Sequence, residues 1–595
     1  MNTTDIVEWV ITLHKHEDLE SFYDDMETPG GNLFIPNRSV EVANKRPISR
    51  NTNYMLSYDE AMLVKEDDRV WDIVPQSLVD LEVIKPYGYK IENANFSKST
   101  TPNVGHTQWG FVTHTDDTAR PNWSSVGTTS LTSVTELTIT ASGKNVDVLI
   151  VDGHIDPNHP EFAVNSDGSG GTRVQQINWF NYAESGDPKA GTTYTYTPYS
   201  QAGDVAGSGL SGDNNHGAHC GGTVAGNTQG WARDSDIYNI SPYGTNPNGT
   251  LGNMWDYIRN WHKSKPINPE TGRPNPTVSN HSYGSSFEHV RDGYGSIPFP
   301  YDITYRGANL GVASNLELTP AQLEARGINC TQKNIDTDGD NIPDTIVDVC
   351  ETPAWFTSRF ADIEDAIDEG IIVCFAAGNE NNLITKAGDV DYDNRHQWMY
   401  LGFINYDLPY HRGGSSGQGV DNSIVVGCVD NYMLPSGEHR KTSYSNWGSA
   451  VDIYAAGDWI QSSVDNTDKT SLATVNDPRG GTDPRGFTYG QSKYPGTSMA
   501  SPQVCGVLAL LAESNPGMSQ SDAQAWVREN ALVDLLYESG TIDPTQLYNL
   551  GSSDNLMLFW KNQRKETGNI YPLKTAGRRE KSSIKYPRPR IRRRG

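Results

Sequence analysis

Residues 146–152 read VDVLIVD, five apolar residues interrupted only by Asp147 and closed by a second aspartate. A short apolar run of this kind is a strand buried on both faces, and its grammar returns at 370–375 (GIIVCF) and 423–427 (SIVVG). Helical patterns at 355–368 and 501–513 sit between or after these runs. That alternation predicts an α/β fold, a mostly parallel sheet covered by helices on both faces. Chemistry in such sheets gathers at the carboxyl ends of the strands, which singles out Asp152.

Working outward toward the N-terminus, 6–14 (IVEWVITLH) reads as a strand and 17–27 as an acidic helix with Leu19, Phe22 and Tyr23 on one side. A second unit follows: a strand at 53–58, a helix at 59–68 capped by Asp59, and a closing strand at 70–74 before Pro75. These define a small α/β domain over 1–93. From 94 to 145 the composition shifts to Ser, Thr, Asn and Pro with Trp109 and Trp123 as isolated anchors, the mark of an extended connecting segment. The expected main domain is 146–545, interrupted by an insertion at about 285–353, and 546–595 is an extension ending in a basic tail.

The chain has 595 residues, 35% hydrophobic and 20% charged, with 57 Gly and 33 Pro, which suits a globular protein rich in turns and excludes a fibrous or wholly disordered one. Its net charge of -26 hides a division, because 561–595 holds 13 Lys/Arg against 2 Asp/Glu, +11, leaving -37 for the rest. An acidic body repels nucleic acid and anionic membranes, so nucleic acid is expected as a partner only through the tail. Tyr571 and Tyr586 are the only aromatics there, which gives base stacking little support. No run approaches the ~20 apolar residues of a membrane-spanning helix, and no basic segment leads an apolar one at the start of the chain. The expectation is a protein without a secretory signal, cytoplasmic or particle-associated. Six cysteines form no dense disulfide framework, although Cys330 and Cys350 bracket a short loop and can pair in an oxidising compartment.

Three segments carry chemistry. Asp152 opens DGHIDPNHPEF at a strand end, where it serves either as a turn former or as an orienting acid. His216 and His219 lie in 214–226 (NNHGAHCGGTVAG), a small-residue segment at a helix start; a zinc-protease pattern with an intervening Glu is missing, and His219 reads as structural. Ser498 lies in 496–502 (GTSMASP) ahead of an apolar helix, where a serine is a cap or a nucleophile exposed to the positive end of the helix.

Taken in the order Asp, His, Ser, these segments resemble the subtilisin family of serine proteases. Gly153 and His154 stand where that family has Ser or Thr and then Gly, and Ala218 replaces a Thr; Cys220 follows as in proteinase K relatives. FAAGNE at 375–380 resembles the segment carrying the oxyanion-hole asparagine, here Asn379. SYG at 282–284 is similar to the strand lining the substrate cleft, and 444–457 (YSNWGSAVDIYAAG) matches a further segment. The resemblance implies a serine endopeptidase acting through an acyl-enzyme on peptide or protein substrates. Ser498 would be the nucleophile, His216 the general base and Asp152 its orienting partner, with Ser282, Tyr283, Gly284, Ala377 and Gly378 binding substrate. It also implies that 1–93 is a ferredoxin-like inhibitory pro-domain, cut off between about Glu92 and Gly105. His154 is expected to perturb Asp152, Tyr283 to narrow the cleft and Glu380 to favour cationic side chains.

Within the insertion, 336–344 (DTDGDNIPD) spaces carboxylates at Asp336, Asp338, Asp340 and Asp344, with the Ile342 carbonyl between them. Hard calcium takes such an oxygen-rich set, and structural calcium is the expectation beside a solvated acidic turn. The other class of function is a non-catalytic structural or binding component built on the same scaffold, for which the basic tail and missing signal argue. Retention of all four of Asp152, His216, Ser498 and Asn379 argues for an enzyme.

Overall fold

Side chains along β1 (Val7–Leu13) alternate between two environments. Trp9, Ile11 and Leu13 join one core with Leu19, Phe22, Tyr23 and Met26 of α1 (Leu19–Glu27). After β2 (Val42–Asn44), β3 (Asn51–Leu56), α2 (Tyr58–Lys65) and β4 (Val70–Pro75), the four strands form an antiparallel sheet in the order β2-β3-β1-β4. The cap of α2 is Ser57, not Asp59. Its hydroxyl accepts the Glu60 N–H while the Glu60 carboxylate accepts the Ser57 N–H, a reciprocal pair that Asp59, already inside the helix, does not make. Helix α3 (Gln76–Val79) then leads to β5 (Val83–Pro86).

The structure, a computed structural model, describes residues 4–35, 42–80, 83–86, 109–115, 139, 141–196, 214–242, 247–250, 252–295, 297–311, 316–335, 345–400, 404–413, 417, 419–434, 438–464, 475–476, 489–538, 548 and 550–560. The expected calcium loop, the 92–105 cleavage window and the basic tail lie outside these residues.

The body continues with α4 (Trp109–Thr115), β6 (Asp147–Val151), β7 (Val174–Gln175), α5 (Asn214–Ala225), β8 (Asp236–Ile240), α6 (Met254–Lys263) and β9 (Thr277–His281). A first excursion holds β10 (Tyr283–Val290), β11 (Asp302–Tyr305), β12 (Ala308–Gly311), α7 (Pro320–Glu324), β13 (Cys330–Ile335) and β14 (Thr345–Pro353). Helix α8 (Thr357–Asp368) and β15 (Ile371–Ala376) return to the body, and β16 (Arg395–Tyr400) with β17 (Ile404–Pro409) makes a second excursion. Then come β18 (Ile424–Met433), β19 (His439–Lys441), β20 (Ile453–Ala456), β21 (Ile460–Val464), β22 (Val475–Asn476) and β23 (Gly490–Tyr494). The last elements are α9 (Thr497–Ser514), α10 (Gln520–Glu529), β24 (Leu532–Val533) and β25 (Leu556–Met557).

The largest sheet runs β24-β25-β20-β18-β15-β9-β6-β8-β7, with β19 beside β18; all pairs along the row are parallel except β24–β25. The VDVLIV run forms its centre. Val148 and Ile150 enter the core shared with α5 and α9, while Leu149 and Val151 enter the one shared with α6 and α8, so helices cover both faces.

Two boundaries differ from expectation. The segment at 109–115 is helical, with Phe111 packed on Trp231 and the Trp109 indole donating to the Asp458 carbonyl at 2.8 Å. The body also runs past 545, because Met557, Leu558 and Trp560 are buried in its core and β25 pairs with β20. The two excursions join each other. Strands β12-β11-β16-β17 form one sheet, and β10 sits inside another of order β13-β14-β10-β5, completed by the N-terminal strand β5. In the β13–β14 hairpin Cys330 stands opposite Cys350, both as thiols. Among the described residues no helix is long and apolar enough to cross a membrane.

Candidate active site

Strand β6 ends by delivering Asp152, whose carboxylate accepts the Gly153 N–H at 2.7 Å. The first turn of α5 faces it with His216, the Nδ1 of which lies 2.9 and 3.0 Å from the two Asp152 oxygens. Glycine makes that approach possible. A Cβ at Gly217 would lie 2.1 Å from the Gly153 carbonyl oxygen, so any larger residue pushes α5 off the Asp152 turn. Burial disfavours a charged His216, yet the Asp152 carboxylate, joined by the nearby Cys220, raises its pKa well above the ordinary imidazole value. His219, three residues on, is the opposite case. Burial pushes it down to about 3, its Nε2 donates to the Ile460 and Ser492 carbonyls, and its ring stacks on Tyr494, which fits a structural role.

Ser498 lies in the first turn of α9, a helix buried from Thr497 to Ala512. Pro502 has no N–H to donate to the Ser498 carbonyl one turn back. That carbonyl is taken instead by the Ser282 hydroxyl at 3.0 Å and the Cys220 thiol at 3.4 Å, while the Ser498 hydroxyl donates to the Ser282 carbonyl at 3.2 Å. Ser282 is itself fixed by Asn280, which accepts from Ser501 on α9. Cys220 stands between the two helices, its sulfur 3.9 Å from His216 Nδ1. The structure therefore brings Asp152, His216, Cys220, Ser282 and the turn bearing Ser498 into one buried cluster.

Asn379 follows the β15 terminus. Its amide oxygen accepts from the Thr497 N–H at 3.0 Å and the Thr497 hydroxyl at 2.8 Å, and that hydroxyl accepts the Gly378 N–H at 3.2 Å. Holding the oxygen this way presents the amide nitrogen on the side of Gly496 and Ser498; a Cβ built on Gly496 would lie 3.6 Å from both Asn379 Nδ2 and the Ser498 nitrogen. Asn446 clamps the same loop: its amide nitrogen donates to the Ala377 carbonyl and the Glu380 carboxylate, and its oxygen accepts from the Glu380 and Asn382 amides. Gly378, at φ +107°, leaves room for this amide, which a Cβ would meet at 2.2 Å. Behind the clamp, buried Lys441 donates to Asn381 Oδ1 and to the Thr442 and Ser445 carbonyls.

The SYG segment enters β10, and β5 pairs antiparallel with it, Pro86 opposite Tyr283 and Lys85 opposite Gly284. The Tyr283 ring turns into the core, with its hydroxyl 3.0 Å from His281 Nδ1, so the backbone of this residue, not its side chain, faces β5. That corrects the expectation that Tyr283 narrows the cleft. His154 packs with Tyr194 and Tyr196. Among the described residues, one group of three or more His, Cys, Asp and Glu side chains brings its ligand atoms within 4.8 Å of one another, namely Asp152, His216 and Cys220. Sequence reading assigned nothing to Thr497 or Asn446; the first lay within a quoted motif, whereas Asn446 gave no signal beyond membership of a matching segment.

Residues 143–556 match the Subtilase family, and the chain belongs to it. Subtilisin E of Bacillus subtilis (strain 168) is 27% identical over 164 residues, covering 28% of this chain and 29% of that protein. Alkaline serine exoprotease A of Vibrio alginolyticus is 29% identical over 114 residues, 19% of this chain and 17% of that protein, and Subtilisin-like protease 3 of Trichophyton equinum is 39% identical over 83 residues, 14% and 15%. The chain thus spans less than a third of the length of these curated relatives. Among solved structures, fervidolysin from Fervidobacterium pennivorans, a keratinolytic enzyme related to subtilisin, is similar at 14% identity and a TM-score of 0.45, covering 93% of this chain and 60% of that one.

Proposed function

We propose that this subtilase is a serine endopeptidase using Asp152, His216 and Ser498 as its triad and Asn379 as an oxyanion donor. The observation that carries the reading is the buried Asp152–His216 pair set beside the Ser498 turn. His216 takes the Ser498 proton as the oxygen attacks a peptide carbonyl, and Asp152 holds the imidazole tautomer and stabilises the imidazolium. The Asn379 amide and the Ser498 N–H donate to the tetrahedral oxyanion. The imidazolium returns its proton to the leaving amine, and water then releases the acid from the acyl-enzyme. Ser282, Tyr283 and Gly284 would bind substrate by backbone pairing and Ala377 and Gly378 would wall the opposite side. Glu380 at the end of that wall would favour cationic side chains. Cys220 beside His216 is the feature that supports a proteinase K-like branch for this chain.

The same reading makes the chain a latent precursor. Its support is the βαββαβ unit with strand order β2-β3-β1-β4, a ferredoxin-like arrangement, followed by β5 lying along Tyr283–Ser286 where a substrate strand would pair. Pro86 is opposite Tyr283, one residue from the Ser282 carbonyl that Ser498 contacts. This register favours a cut within a few residues of Pro86 over one at 92–105. Calcium at Asp336, Asp338, Asp340, Ile342 and Asp344 would brace the tip of the β13–β14 hairpin. A fluorophosphonate probe tests the central claim: labelling of the processed protein that disappears in Ser498→Ala is expected, and absence of labelling after processing favours the non-catalytic scaffold. Sequencing the new N-terminus separates the two cleavage windows.

A further inference from the structure

The first excursion touches both sides of the cleft. On one side β14 pairs antiparallel with β10, from Ser286 opposite Pro353 to Val290 opposite Val349, and the Ala354 N–H donates to the Ser285 carbonyl at 3.1 Å. On the other side Asn329, just ahead of β13, reaches the loop that follows Asn379. Its amide donates to Asn382 Oδ1 at 2.8 Å and to the Glu380 carbonyl at 3.3 Å. Glu351 of β14 acts on the same loop through its charge. Burial holds the Glu380 carboxyl above its ordinary value, and Glu351 adds to that rise.

Cys330 follows Asn329 and Cys350 precedes Glu351, so the two thiols stand at the roots of both contacts. They are direct partners in the β13–β14 ladder. Residues so opposed have Cα atoms about 4.5 or 5.5 Å apart, inside the range of about 4.4 to 6.8 Å that a disulfide spans. The thiols also face each other, since the hydrogen bond with Cys330, ahead of burial, raises the Cys350 pKa. Cys350 is buried, whereas Cys330 is only half-buried and its sulfur rests 3.9 Å from the Pro320 and Ile328 carbonyls. Solvent therefore reaches one member of the pair. The other four cysteines lie buried on α5, β15, β18 and α9. Strand β13 is an edge strand, held by β14 alone, so nothing else in its sheet keeps it in place if that ladder frays.

We propose that Cys330 and Cys350 form a reversible disulfide that locks β13 to β14 and thereby holds Asn329 against the loop carrying Asn379. The Cys330 thiolate attacks one sulfur of a small disulfide such as oxidised glutathione and expels its other half as a thiolate. Cys350, deprotonated in turn, attacks the Cys330 sulfur of this mixed disulfide and expels the second half. The two released thiolates take up the two protons, so two protein thiols are oxidised while one small disulfide is reduced to two thiols. The consequence for catalysis rests on the peptidase reading above: the locked excursion fixes the Asn379 side of the cleft relative to β10, and reduction loosens it.

The test uses the full chain carrying Ser498→Ala, equilibrated with oxidised or with reduced glutathione, quenched in acid, alkylated and digested with a second protease. The oxidised sample is expected to give the Cys330 and Cys350 peptides joined and lighter by two hydrogens, and the reduced sample to give both alkylated. Amide hydrogen exchange across 378–382 should be roughly 10-fold slower in the oxidised form. Asn329→Ala should remove that difference, and Cys330→Ser should exchange at the reduced rate in either buffer. Where Cys330→Ser fails to fold, Cys350→Ala is read in its place with the same expectation. Both cysteines alkylated in the oxidising buffer overturn the disulfide, and equal exchange in the two forms overturns its hold on the loop. In the processed, unsubstituted enzyme, reduction should raise KM roughly 3- to 10-fold with little change in kcat. An active enzyme with unchanged KM overturns the catalytic consequence, whereas a protein that shows the cross-link and the exchange difference yet hydrolyses no peptide removes the peptidase reading alone.

Discussion

The two faces of the main sheet are built from alternate residues of the same strands and are held in opposite ways. On the α5 and α9 face, small residues let backbones approach, and buried hydroxyls, amides and a thiol satisfy what the helices leave open: Ser282 and Cys220 take the carbonyl freed by Pro502, and Thr497 fixes Asn379. Beyond the apolar core that α6 and α8 share with the sheet, these helices turn carboxylates and guanidiniums toward the N-terminal domain, with Asp256, Asp362 and Asp365 meeting Arg46, Arg50 and Arg259. The difference separates two tasks. A reacting group must be located within a fraction of an ångström, which close packing of small residues achieves, whereas a docked domain needs a partner of opposite charge and a broad apolar contact.

Substitutions on the first face should break function outright. Ser498→Ala is expected to lower peptide hydrolysis by up to about 10^6-fold while the protein stays folded. Asn379→Ala should lower kcat by roughly 100- to 1000-fold with a smaller change in KM, as measured by steady-state kinetics on one peptide. An Asn379→Ala variant with unaltered kcat would show that the oxyanion is stabilised elsewhere.

The pH dependence sharpens the comparison. His216 must be neutral to accept a proton, and its raised pKa keeps it charged further into the neutral range, so kcat/KM should climb with pH on an acid limb above the ordinary imidazole value. Cys220→Ala removes one of the groups that raise it and should move that limb to lower pH. A limb that stays fixed would show the thiol to be a packing group only.

A smaller effect concerns Lys441, pushed down to about 7 by burial, the Cys428 side raising it only in part. An unfolded lysine binds its proton up to its ordinary value near 10.5, so between these limits the unfolded chain holds more protons than the native one. Stability contributed by this residue should therefore rise with pH across that window, and its penalty is complete below about 7. Lys441→Met, which also leaves Asn381 Oδ1 and two carbonyls without their donor, should flatten the rise in Tm between neutral and alkaline pH. An unchanged slope would show that other groups set it.

Much of the site was legible because its chemistry is written in contiguous words. HGAHC, GTSMASP and FAAGNE each keep a reactive side chain next to the small residues that let it be approached, and the VDVLIV run announced the strand ending at Asp152. Local rules also gave the sheet and its helices, and they failed where a neighbour one step away made a better bond, as Ser57 did against Asp59. The aromatic hairpin at 395–409 went unread, since RHQWMY alternates like any half-buried strand and says nothing of which surface covers it.

What the chain determined by itself was the order and type of its parts: a small α/β unit, a parallel sheet, and an aspartate, a histidine and a serine at the ends of its elements. Only the folded structure decided that Asp152 lies against His216 across 64 residues, that Cys220 and Ser282 share the Ser498 carbonyl, and that β5 runs beside Tyr283. Periodicity and capping act within a turn or two of the chain. Contacts between distant polar side chains are selected by packing and by the need to satisfy every buried donor and acceptor, and those conditions exist only once the elements have met.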